Sequence, residues 1–172
     1  MNQRKQKILE LFDHSGSALH NLLYRLTLCQ ESARDLLQDV FVKLLNHPDL
    51  EKVRNLEAYA RRTAIHAALD WRRRRQCVPM GALPQEHLLP GGNPDAVTQV
   101  LQKEQIATML DALSDLPDLY QQVIVLRYLE QQDYDTIAEQ LDKKPQHLRS
   151  ICSKGLAKLQ HCLNRSTVWS VD

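Results

Sequence analysis

Apolar side chains recur at spacings of three and four residues along most of this chain, the period of an amphipathic helix. Leu19, Leu22, Leu23 and Leu26 form one such stripe, and Leu36, Leu37, Val40, Phe41 and Leu44 form another. The pattern predicts four helices in the first half, over about 3–12, 17–28, 31–45 and 56–74. The first two are separate, with a break over about 13–16, and the segment 46–55 is a loop. The fourth helix turns Leu56, Tyr59, Ala60, Thr63, Ala64, Ala67 and Trp71 inward and Arg61, Arg62, His66 and Arg73 outward. Its small alanines allow close approach of partner helices.

Between Gln76 and Asp95 the pattern breaks. Four prolines and three glycines exclude a continuous helix there. Met80, Leu83, Leu88 and Leu89 make this linker more apolar than a solvated spacer and suit docking in a groove. Periodicity then resumes. Tyr134, Ile137, Ala138 and Leu141 fall at i, i+3, i+4 and i+7, followed by the polar break Asp142, Lys143, Lys144. Pro145 then suits a first helical turn, where its missing N–H would be unpaired anyway. The helix it opens buries Leu148, Cys152, Gly155 and Leu159. Its opposite face carries Gln146, Ser150, Ser153 and Lys154, flanked by His147 and Arg149. Two short helices joined this way read as a helix-turn-helix. The outer face has amides and hydroxyls for base edges and cations for phosphates, which suits the major groove of DNA.

The expected fold is therefore all-α, with two small helical domains joined by a Pro/Gly-containing linker, the second a helix-turn-helix. Boundaries fall at 1–75, 76–97 and 98–165, with a tail over 166–172 in which Trp169 caps the last helix or meets a partner. Few aromatics and few glycines among 172 residues agree with a helical chain. No apolar run is long enough to span a bilayer, and the N-terminus leads straight into an amphipathic helix, which points to a cytoplasmic protein without a membrane anchor. The four cysteines (Cys29, Cys77, Cys152, Cys162) lack the paired spacing of a zinc site. Cys29 and Cys152 lie on core faces as free thiols, and no metal or cofactor is expected.

A net charge of +1 conceals an asymmetry: residues 1–75 carry 14 Lys and Arg against 9 Asp and Glu, residues 76–172 carry 8 against 12. The last helices are nevertheless basic, and a second basic surface lies on the fourth helix, where Arg61 and Arg62 precede Arg72 to Arg75. Guanidinium groups there can grip phosphates, with Tyr59 and Trp71 near enough to stack on an unpaired base or to pack in the core. Two basic surfaces on a nearly neutral chain suit nucleic acid gripped at two places.

At this point a family resemblance is legible. Asp35-Leu36-Leu37-Gln38-Asp39-Val40-Phe41-Val42-Lys43-Leu44 resembles the polymerase-binding helix of bacterial sigma factors. The segment 59–75, with Ala68-Leu69-Asp70 followed by arginines, resembles their promoter-melting helix. Leu116-Pro117, then Val123 to Leu129, then Tyr134 to Leu141 resemble the start of their C-terminal domain and its helix-turn-helix. The two-domain layout is similar to the compact extracytoplasmic-function (ECF) class.

The resemblance implies a factor that binds core RNA polymerase and directs it to specific promoters for transcription initiation, with no enzyme activity of its own. Asp35, Gln38, Asp39 and Lys43 would face an arginine-rich clamp of the polymerase. The loop ending at Asn55 would capture a flipped base of the minus-ten element, and Tyr59, Arg61, Arg62, His66, Arg72 and Arg73 would lie along the opening strand. Gln146, His147, Arg149, Ser150, Ser153 and Lys154 would read the minus-thirty-five element as duplex. Partners would be core polymerase and promoter DNA, with an anti-sigma factor a common further partner in that class. The chain departs from the family at Asp142 and Lys143, where glycine and an apolar residue are usual, and at Ile151, where a basic residue is usual. His66 and Ile65 replace a usual asparagine and arginine. The rival reading is an autonomous helix-turn-helix regulator; it leaves the Asp35–Leu44 surface without a use, and no heptad seam for dimerisation is present. A helical adaptor for acidic partners is a further alternative. No nucleophile triad, glycine-rich phosphate loop or metalloprotease motif occurs.

Overall fold

The computed structural model describes residues 3–76 and 94–168, with the side chains of 94–97 and 166–168 left aside. Among them every regular element is helical: α1 (Gln3–Thr27), α2 (Gln30–Asn46), a 3₁₀ turn (Leu50–Lys52), α3 (Leu56–Gln76), α4 (Pro94–Ser114), α5 (Asp118–Ile124), α6 (Tyr134–Leu141) and α7 (Pro145–Val168). The linker leucines and Met80, Cys77 and Trp169 lie outside the described residues.

The two helices expected over 3–12 and 17–28 are one continuous helix, α1. Glycine in a helix interior costs only about 1 kcal/mol relative to alanine, and the flanking Ile8, Ser15 and Leu19 are all buried, so packing on both sides of Gly16 outweighs it. The helix ends where expected, at Leu28, which takes the left-handed conformation (φ 58°). Its N–H donates to the Tyr24 carbonyl at 2.7 Å, while the Thr27 hydroxyl donates to the Leu23 carbonyl at 2.8 Å. Terminal carbonyls are thereby satisfied without a glycine.

The core of the first half is the stripe Leu19, Leu22, Leu23 and Leu26 of α1 against Ala33, Leu36, Val40 and Leu44 of α2 and the alanines of α3. Phe41, expected inside, is half-buried and meets Phe12 edge-on at 4.8 Å between ring centroids. Cys29 is also half-buried, a free thiol at the α1–α2 corner. In the second half, Val123 to Leu126 pack with Ile137, Ala138 and Leu141 of α6 and Leu148, Ile151, Cys152 and Leu159 of α7. The buried side chain of Gln121 ties the α4–α5 corner, donating to the carbonyls of Ser114 and Leu116, both at 2.8 Å. Beyond α5 the chain continues as a single π turn, Val125–Leu129, closed by the Glu130 N–H to the Val125 carbonyl at 3.1 Å.

The second half packs on α3 through α4 and α5, so α3 is covered from two sides. That is why its burial differs from the single inner face expected. Ala60, Ala64 and Ala67 are inside as expected, whereas Leu56, Tyr59, Thr63 and Trp71 are only half-buried. Ile65, Ala68, Leu69 and Arg72 are fully enclosed as well. Arg62, Ile65, Leu69, Arg72 and Gln76 follow helical spacing, and the polar members of that stripe bond to the second half.

Candidate nucleic-acid interface

The helix-turn-helix is built from local rules. Asp133 caps α6: its carboxylate accepts the Thr136 N–H at 2.7 Å, the usual way to satisfy an orphan donor in a first turn. That bond holds the Asp133 carboxyl below its ordinary value of 3.8. The helix stops at Asp142, which is left-handed (φ 52°, ψ 50°), and the Lys143 N–H closes the turn on the Ala138 carbonyl at 3.0 Å. Aspartate therefore takes the place that glycine would serve. Lys143 is exposed rather than plugged into the helix pair.

On α7 the inward stripe is as expected, with Leu148, Cys152, Gly155 and Leu159 buried, and Ile151 joins them at 6% exposure. Gln146, His147, Arg149, Ser150, Ser153 and Lys154 are all exposed along the outer face. The ring of Tyr134 lies beneath two cations, Arg127 at 5.1 Å and Arg149 at 5.4 Å. A side-chain hydrogen bond with Cys152, then burial, push its hydroxyl above the ordinary value. Tyr134 thus anchors the base of the recognition face to the helix before it, a contact that sequence spacing does not reveal.

The α3 face is arranged differently. The Asn55 side chain accepts the Ala58 N–H at 2.9 Å and so caps the helix start. Tyr59 meets the His47 ring edge-on at 5.1 Å, joining the preceding loop to the helix. Arg61 pairs with Glu57 at 3.0 Å and with Glu130 at 3.4 Å. Arg62 donates to the Gln140 carbonyl at 3.4 Å, and His66, exposed, stands 3.9 Å from Asp118. Arg73 and Arg74 both pair with Asp70, whose carboxyl is lowered chiefly by the Arg73 hydrogen bond. Arg75 lies over the Trp71 ring at 4.9 Å.

Arg72 does not share the exposed surface expected of it. At 6% exposure it points inward, donating to the Leu26 carbonyl and to the Asp111 carboxylate, both at 2.5 Å. Burial lowers its basicity and Asp111 opposes that shift. The partner stands 39 residues away on α4, so the arginine run gives no local sign that one member turns inward.

On α2, Asp35, Gln38, Asp39 and Lys43 are exposed together. Val42, half exposed, lies seven residues after Asp35 on the same side and was not singled out from the sequence. Its signal was available: an apolar residue at i, i+3, i+4, i+7 with three polar ones gives a mixed patch suited to protein contact. Among the described residues no group of three or more His, Cys, Asp or Glu could hold a metal ion, and no helix is long and apolar enough to cross a membrane.

Residues 11–77 match the family model of Sigma-70 region 2, and residues 106–159 match that of Sigma-70, region 4. The chain is similar to the ECF RNA polymerase sigma factor SigE of Mycolicibacterium smegmatis, 28% identical over 156 residues, covering 90% of this chain and 60% of that protein. It is also similar to RNA polymerase sigma factor YlaC of Bacillus subtilis, 29% identical over 141 residues, covering 80% of each. The RNA polymerase sigma-E factor of Streptomyces coelicolor is 29% identical over 129 residues, covering 74% of this chain and 70% of that one.

Proposed function

The chain belongs to the sigma-70 family of RNA polymerase sigma factors, in its ECF form, and on that premise we propose that it binds core RNA polymerase and directs it to specific promoters. The observation that carries this reading is the pairing, on one chain, of an exposed acidic and amide face on α2 with an exposed helix-turn-helix reading face on α7. A regulator acting alone would use the second and leave the first without a task.

In this reading Asp35, Gln38 and Asp39 pair with cations on the polymerase, Lys43 adds a polar contact, and the exposed Val42 supplies apolar area to the same patch. Gln146, His147, Arg149, Ser150, Ser153 and Lys154 read the upstream promoter element as duplex. Arg149 is pre-oriented by the Tyr134 ring, which lowers the entropy lost on binding. Ile151, buried, contributes no base contact, so the element read by this chain is specified by its neighbours. The loop 46–55 with Asn55 and Tyr59, followed by Arg61, Arg62, His66 and Arg73, holds the opened strand of the downstream element. The work is done in the cytoplasm, where polymerase and promoter meet.

In vitro transcription of fragmented host genomic DNA tests this directly. Core polymerase with the chain gives start sites that share two upstream sequence blocks, and Arg149→Ala with Ser150→Ala changes use of the distal block. No start sites above those of core enzyme alone would refute the reading.

A further inference from the structure

The first turn of α1 reaches across to the far end of α2. Arg4 Nη2 donates to the His47 carbonyl, and the Leu44 carbonyl stands 3.5 Å from the same nitrogen. These oxygens belong to the last turn and C-cap of α2, where carbonyls lack partners within the helix. A cation placed there also complements the negative end of the helix dipole. No glycine ends α2: its C-cap, His47, is extended (φ −67°, ψ 119°), and the His47 N–H returns to the Leu44 carbonyl at 3.3 Å. Arg4 therefore grips the chain at the point where helix becomes loop. Its Nε is buried without a hydrogen-bond partner, a cost that the contacts at the guanidinium tip offset. Beyond that grip runs a relay of short contacts. His47 Nδ1 accepts the Asp49 N–H at 3.2 Å, and the His47 ring meets Tyr59. The 3₁₀ turn is closed by the Lys52 N–H to the Asp49 carbonyl at 3.0 Å and the Val53 N–H to the Leu50 carbonyl at 3.1 Å. Leu50 is buried, yet beside it an open cleft of about 240 Å³ lies between Arg4 and Lys7 of α1 and Leu50, Val53 and Leu56.

Taking 46–55 with Asn55 and Tyr59 as the strand-holding loop, we propose that Arg4 is a positioning residue for the downstream promoter element. It acts through the His47 carbonyl, which fixes where the loop leaves α2, and through the His47 ring, which carries that placement to Tyr59. With Arg4 in place, Tyr59 and Asn55 face the strand in one arrangement. Without it the loop can leave α2 in several directions, and a site held that loosely accepts the wrong base more readily. The partner stands 43 residues from Arg4, so the basic start of the chain gives no sign of this role.

Arg4→Met, of similar length but without donors, tests this in the full chain assembled with core polymerase. Lys5→Met removes the same charge from an exposed position one residue on. Arg4→Lys restores a donor and the charge without the unpaired Nε. Transcripts are sequenced from templates in which either the downstream or the upstream block is randomised. In Arg4→Met the preference for the best over the worst downstream base falls about tenfold, the scale of one charge-assisted hydrogen bond. Upstream preference stays at the wild-type level, and Arg4→Lys recovers most of the downstream loss. Amide hydrogen exchange over 47–53, followed by mass spectrometry on the chain alone, is faster in Arg4→Met than in Lys5→Met. Arg4→Gln, shorter in reach and uncharged, takes the place of Arg4→Met if that variant loses its helical signal, with the same outcomes. Wild-type preference at both blocks, or exchange no faster than in Lys5→Met, overturns the proposal. An equal fall at both blocks, or no recovery in Arg4→Lys, overturns it as well, leaving Arg4 a residue of general stability. A wild-type chain without base preference at the downstream block refutes the strand-holding loop itself, and the exchange result separates that failure from loss of the Arg4 grip.

Discussion

Gly16 and Gly155 both lie inside long helices, yet the structure predicts opposite outcomes when each becomes alanine. A Cβ at Gly16 would meet the Phe12 side chain at 3.7 Å, an ordinary van der Waals contact. There the gain is the plain helix-propensity difference, about 1 kcal/mol. A Cβ at Gly155 would meet Ile124 Cδ1 at 2.9 Å and Tyr120 Cδ1 at 3.0 Å. The isoleucine methyl can rotate, but the tyrosine ring is held beneath Lys158, whose ammonium lies 4.9 Å from its centroid. Overpacking of that kind costs about 1–3 kcal/mol. Set against the same gain of about 1 kcal/mol, Gly155→Ala lowers stability by up to about 2 kcal/mol. For a chain of this length each kcal/mol moves the melting temperature by about 2–4 °C, so thermal unfolding followed by circular dichroism separates the two variants. Gly155→Ala should also weaken upstream-element binding, because relief of the clash moves α7 away from α5. A Gly155→Ala variant stabilised as much as Gly16→Ala would show that the α5–α7 approach is looser than described.

Arg149→Ala and Ser150→Ala should each lose about 1–3 kcal/mol of discrimination between the cognate upstream element and a mutated one, measured by competition binding to duplex DNA; unchanged discrimination in both would remove those residues from the reading face. Asp39→Arg should sharply weaken binding to core polymerase while leaving the helical circular-dichroism signal intact, and wild-type affinity would mean that α2 is not the docking surface. Asp133→Ala should fray α6 and so lower the melting temperature. The Asp133 carboxyl is lowered in the folded state, so its contribution is present above about pH 4 and fades as pH falls through its folded value. Asp133→Asn keeps a cap without that pH dependence, and a melting temperature that falls with pH identically in wild type and Asp133→Asn would contradict the assignment. Gln121→Leu removes both donors to the buried Ser114 and Leu116 carbonyls and should cost about 1–3 kcal/mol, read by urea unfolding.

Features set by neighbouring residues were legible in the sequence. The stripe Leu148, Cys152, Gly155, Leu159 and the six polar residues opposite it follow from helical spacing alone, and Asp142 could be read as a left-handed turn because few other residues tolerate that conformation. Features set by distant partners were not. Arg72 reads as one more arginine in a run of four, and its inward rotamer is held by distant partners, the Leu26 carbonyl of α1 and Asp111 on α4. The full burial of Ile65 and Leu69 follows from coverage of α3 by the second half, which no periodicity within α3 announces. The break expected over about 13–16 does not form for an energetic reason: the cost of Gly16 is small beside the apolar burial on either side of it, so α1 runs through.

The most direct test of the central claim is co-elution of the purified chain with core RNA polymerase from its own host on a sizing column. The account predicts a stoichiometric complex for the wild-type chain and its loss in Asp39→Arg. Separate elution of a folded wild-type chain would contradict it.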